Sequence, residues 1–141
     1  MHKLFVPYQL ALKLKALQFN EPCLAYYEKK VLKEFRPYYL EAQILNSDFS
    51  SRIEGFHLSS CSAPLFTHAF KWFRDKYDLH QSIIKYSGSK TYWCQIEMIS
   101  DKKNKRGEYD VIYATNLSTF TKYRDAEIAC LKKLIEIVES K

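Results

Sequence analysis

The sequence predicts an α+β fold: an antiparallel sheet of three to five strands, two helices packed on one of its faces, and an additional N-terminal helix. Three observations carry this. Residues 64–77 and 121–140 repeat apolar side chains at helical spacing, three stretches between them alternate with period two, and the joins between those stretches are short enough for hairpins. The chain's 141 residues suit one main domain, residues 63–141, with a smaller piece, residues 1–62, attached to it.

Pro7 suits the start of a helix, and Leu10, Leu14 and Leu17 then repeat on one stripe with Lys13 and Lys15 off it. Phe19-Asn20-Glu21-Pro22 ends that helix. Residues 23–27 are short, apolar and aromatic and read as a strand, with residues 31–35 as a hairpin partner or as a helical turn before Pro37. Tyr38 to Leu45 fits helix or strand equally, and Ser59-Ser60-Cys61-Ser62 reads as a loop. Pro64 opens the second helix, whose face carries Phe66, Phe70, Phe73 and Tyr77.

Strands follow at residues 80–86, 92–99 and 109–115. In the middle one Tyr92, Cys94, Ile96 and Met98 share one face, and Trp93, Gln95, Glu97 and Ile99 the other. Ser87-Gly88-Ser89-Lys90 is a tight hairpin connection, whereas residues 101–108 form a longer, basic one. Thr121 suits the N-cap of a last helix running through Ala126, Ile128, Ala129, Leu131, Leu134, Ile135 and Val138.

Composition narrows the function classes. Hydrophobic residues make up 47%, yet no apolar run nears the ~20 residues a membrane helix needs. Residues 1–7 lack a secretory hydrophobic region, so the expectation is a cytoplasmic protein. The four cysteines form no Cys-x-x-Cys pair and read as buried, reduced thiols. His57-x3-Cys61-x6-His68 lacks the paired short spacings of a zinc site, so neither metal nor cofactor is expected. No phosphate loop, nucleophile elbow or H-E-x-x-H is present, and Asp75, Asp78 and His80 form only a polar cluster at a helix end. A non-enzymatic binding protein follows.

The formal charge of +6 permits an acidic partner. Lys102, Lys103, Lys105 and Arg106 are crowded into one hairpin loop, where flexible cations can reach phosphates; a solvated turn that discourages edge pairing is the plainer reading. Tyr92, Trp93, Tyr109 and Tyr113 are candidates for a stacking platform, or for half-buried strand residues. Tyr26, Tyr27, Tyr38 and Tyr39 are candidates for a protein interface, including that of a homodimer.

The helix-strand-strand-strand-helix order of residues 63–141, with Tyr123-Arg124-Asp125-Ala126-Glu127-Ile128-Ala129-Cys130-Leu131 in its last helix, resembles the double-stranded RNA-binding domain. That resemblance implies shape-read duplex contacts. They would involve Lys90, which stands in Ser87-Gly88-Ser89-Lys90 where that family has Gly-Pro-x-His. Lys122 and Arg124 would join it, in Lys122-Tyr123-Arg124 where the family has Lys-Lys-x-Ala-Lys. Val6-Pro7-Tyr8-Gln9-Leu10-Ala11, Glu21-Pro22-Cys23-Leu24-Ala25-Tyr26-Tyr27 and Ala69-Phe70-Lys71-Trp72-Phe73-Arg74-Asp75-Lys76-Tyr77 resemble segments of a group of small proteins from bacteriophages and bacterial mobile elements. Together the resemblances imply a partner that is a nucleic acid, RNA before DNA, or a host ribonucleoprotein. An inhibitor of an RNA-guided defence nuclease, of the anti-CRISPR kind, is one concrete form; a protein-interaction or homodimerising module is the alternative.

Overall fold

The computed structural model describes residues 2–34, 45–49 and 59–141. The fold is α+β, with antiparallel sheets and three α-helices among the described residues. The strands divide between two three-stranded sheets rather than joining one. The chain forms two compact units, Met1–Ala69 and Phe70–Lys141.

In the first unit, α1 (Tyr8–Ala16) starts directly after Pro7, whose carbonyl accepts the amides of Leu10 and Ala11. Leu10, Ala11 and Leu14 are buried, as the leucine spacing predicts. Strands β1 (Ala25–Glu28) and β2 (Val31–Glu34) form a hairpin. Its two turn residues, Lys29 and Lys30, both have positive φ, of 48° and 70°, a geometry that lets the turn follow the right-handed twist of its strands. This settles residues 31–34 as strand, and an ion pair between Lys33 and Glu28 crosses the hairpin.

Cys61–Ser62, expected in a loop, is a short strand, β3, on the other side of β1. Its backbone is recruited because Ala25, Tyr27, Cys61 and Ala63 supply an apolar surface that serine-rich composition conceals. Asn46 fixes it there: its Nδ2 donates to the Phe19 carbonyl at 2.6 Å, and its Oδ1 accepts the Ser62 amide at 2.9 Å.

Helix α2 (Phe66–Tyr77) carries the chain from the first unit into the second. Phe66, Phe70 and Phe73 are buried as expected, and Trp72 joins them, meeting Phe73 and Tyr77 edge-on. The second sheet runs β4 (His80–Lys85), β5 (Tyr92–Lys103) and β6 (Tyr109–Phe120) in chain order. Helix α3 (Tyr123–Glu139) touches all three strands. It lies over the face of Cys94 and Ile96, both fully buried, against its own Ala126, Cys130, Leu131, Leu134 and Ile135. The helix begins two residues after Thr121. Lys122 holds the N-cap position in extended geometry with no side-chain cap, which corrects the expected Thr121 cap.

Cys94 and Cys130 are joined as a disulfide between β5 and α3, their Cα atoms 6.1 Å apart. That overturns the expectation of four reduced thiols, since two cysteines on facing elements are brought within bonding reach only by the tertiary fold. Cys23 and Cys61 are free and buried.

Candidate nucleic-acid interface

Strand β4 pairs with β5 only from Tyr92 to Glu97, whereas β6 follows β5 as far as the Lys103↔Tyr109 pair. Beyond Glu97 the sheet therefore narrows to a two-stranded ribbon, six β5 residues long and so about 20 Å in reach. Register shifts at Met98/Ile99 and Ile99/Lys103 interrupt the ladder and add local twist. Tyr109 and Val111 on this ribbon are 55% and 52% exposed.

Asn104 organises the tip. Its Oδ1 accepts the amides of Arg106 at 2.9 Å and Glu108 at 3.1 Å, and its Nδ2 donates to Asp110 at 3.0 Å. Its own amide donates to the Glu108 carbonyl at 2.7 Å, and its carbonyl accepts the Gly107 amide at 2.9 Å. Gly107 turns the chain with φ of +79°, a conformation costly for any residue with a Cβ. One side chain thus replaces the ladder bonds that a five-residue connection would lose.

The consequence is a presented set of cations. Lys102, Lys103, Lys105 and Arg106 are all exposed, and among the described residues none of them forms an ion pair. The Lys103 ammonium lies 5.3 Å from the centre of the Tyr109 ring. Asp101, Glu108 and Asp110 share the segment, so four cations face three carboxylates and the local net charge is +1. Such a tip acts by short-range contact rather than by a long-range field.

Lys90, Lys122 and Arg124 lie elsewhere. Tyr92 pairs with Lys85 on one side and Phe120 on the other, which puts these three cations at the opposite end of β5, about 35 Å from Lys103 at the usual rise per residue. The seven candidates therefore form two groups, not one surface. Arg124 stands near Glu127, whose carboxyl is raised by burial and partly lowered again by that guanidinium.

The expected aromatic platform also divides. Tyr92 and Trp93 are neighbours in a strand and so take opposite faces. Tyr92 meets Tyr123 edge-on at 5.6 Å, while Trp93 stacks on Tyr86 at 5.9 Å and 27°. Tyr109 belongs to the ribbon, and the Tyr113 side chain lies outside the described residues. Tyr27 is turned inward: it is 7% exposed, its hydroxyl donates to the Val6 carbonyl at 2.8 Å, and its ring meets Tyr8 edge-on. Tyr26 is half-buried, and Tyr38 and Tyr39 lie outside the described residues.

Asp75 pairs with Lys71, and Asp78 Oδ1 accepts from His80 Nε2 at 2.8 Å on an open surface. Among the described residues no three metal-ligating side chains converge. Burial pushes the Cys23 thiol up to about 11 and that of Cys61 up to about 12, the opposite of an activated nucleophile.

Asn104 and Tyr86 stand outside the candidates that composition and motif select. The pattern Asn104-x-x-Gly107 is the signal for the first, because an Asx-type turn needs its oxygen two residues before the amide it binds and a glycine where φ turns positive. Protein-family models, curated proteins and solved structures were all compared with the chain, and none matches it.

Proposed function

We propose that this chain is a non-enzymatic nucleic-acid-binding protein whose β5–β6 ribbon reaches a phosphate backbone through Lys102, Lys103, Lys105 and Arg106. One observation carries the reading: four exposed cations, without ion pairs among the described residues, crown a two-stranded ribbon that outruns its own sheet. A ribbon of this kind is narrow enough to lie along a groove, and cations at its tip can straddle backbone oxygens. The ligand is RNA or a ribonucleoprotein before DNA. With the bacteriophage resemblance, the concrete setting is inhibition of an RNA-guided defence nuclease.

The test is fluorescence anisotropy with duplex RNA, structured RNA and duplex DNA, comparing the native chain with one carrying Lys102→Glu, Lys103→Glu, Lys105→Glu and Arg106→Glu. Loss of binding in that variant, with its circular dichroism unchanged, supports the ribbon. Undiminished binding removes it, and no binding by either chain moves the function to a protein partner.

A further inference from the structure

Helix α3 covers the Cys94 and Ile96 face of the second sheet, and the residues alternating with them face the other way. There Ile84 is directly opposite Trp93 and 40% exposed, and Tyr86, 51% exposed, stacks on the Trp93 indole. Exposed Ser82 and Asn116 continue this face. The stack ends at the turn that carries Lys90, with Lys122 just after β6, both exposed; Lys85 pairs with Tyr92 and so takes the other face.

The charge pattern is one-sided. Residues 79–96 and 111–124, which build this end of the sheet, contain no aspartate or glutamate, while the ribbon tip mixes both signs. An open pair of stacked rings with ammonium groups at its end, and with Glu97 farther along the same face bonded by Gln95 Nε2, has the chemistry of a nucleobase platform: flat π faces for bases, ammonium groups for the phosphates between them. A hydrophobic protein partner would favour a larger aliphatic patch, and an acidic peptide would gain nothing from the stack.

We infer that the Tyr86–Trp93 face, with Lys90 at its end, binds unpaired bases of a single-stranded nucleic acid. The site stands on different residues from the ribbon tip and about 35 Å from it at the usual strand rise, so either can fail without the other. A chain with both would engage a structured nucleic acid at a backbone and at an adjoining unpaired segment.

Trp93 itself supplies the readout, because the chain's other tryptophan, Trp72, is buried at 6% exposure. Single-stranded oligo(U) and oligo(dT) of about 12 nucleotides, and a duplex of the same length, are titrated against intrinsic fluorescence. The expected result is saturable quenching by the single strands and none by the duplex. Tyr86→Ala should weaken the single strands by about 5- to 100-fold, and Tyr86→Phe should retain them. Lys90→Glu should flatten the salt slope by about 0.7, the single-strand value for one phosphate. Quenching by the duplex as strong as by single strands, binding without any fluorescence change, or a Tyr86→Ala variant within about twofold of native would each overturn the inference.

Discussion

Asn46→Ala tests how the first unit is held together. Asn46 is 6% exposed and bonds two buried partners, the carbonyl of Phe19 after α1 and the amide of Ser62 in β3. Alanine leaves both backbone groups without those bonds, at about 1–3 kcal/mol each. The vacated amide space is close to that of one water, which can restore part of the bonding. The net expectation is a loss of about 2–4 kcal/mol, a large share of the stability of a unit this size. Both tryptophans belong to the second unit, so tryptophan fluorescence follows that unit during urea unfolding, and amide hydrogen exchange in α1 and β1 follows the first. The urea midpoint of the first unit's amides should fall by about 1 M or more, and exchange of the Ser62 amide should accelerate. A loss under about 0.5 kcal/mol would refute the reasoning, since a buried residue bridging two elements cannot be that dispensable.

Three further outcomes follow from particular groups. Reducing the Cys94–Cys130 disulfide should cost the second unit about 4 kcal/mol, from the chain entropy of a loop of 36 residues; denatured but unreduced protein should expose two reactive thiols, and four would disprove the bond. Cys23 and Cys61 should make the first unit sensitive to alkali. Both thiols have an ordinary value of 9.0 and hold their protons to about 11 and about 12 when folded, so the stability they contribute is complete below pH 9 and is lost as pH rises through those values. Urea titrations at rising pH check this, and a Cys61→Ala variant with the same alkaline decline would contradict it. Asn104→Ala should loosen the ribbon tip and weaken nucleic-acid affinity about threefold to tenfold without touching a cation; equal affinity would show that the tip needs no preorganisation.

Much of the fold is legible because its elements are strongly patterned. The alternation of Tyr92, Cys94, Ile96 and Met98 fixes the faces of β5, and the phenylalanine spacing fixes the buried side of α2. What local pattern cannot carry is partnership. Ser62 reads as loop until Asn46 and β1 supply bonds for its backbone, and two cysteines 36 residues apart read as separate until β5 and α3 face one another. Tyr26 and Tyr27 look alike in sequence, yet strand alternation sends one ring into the core and leaves the other half-buried. The candidate site follows the same logic: the crowding of Lys102 to Arg106 is visible by eye, but the length of β5 that separates it from Lys90, Lys122 and Arg124 is a property of register.

The most direct test of the account is the salt dependence of nucleic-acid binding by the native chain between about 50 and 200 mM salt. Four phosphate contacts give a slope of about −3.6 on a duplex, so affinity for duplex should fall about 150-fold over that range. The same measurement on the chain with Lys102, Lys103, Lys105 and Arg106 changed to glutamate should lose that dependence together with the binding. A native affinity that is insensitive to salt, or a slope that survives the four substitutions, would contradict a ribbon that works by holding phosphates.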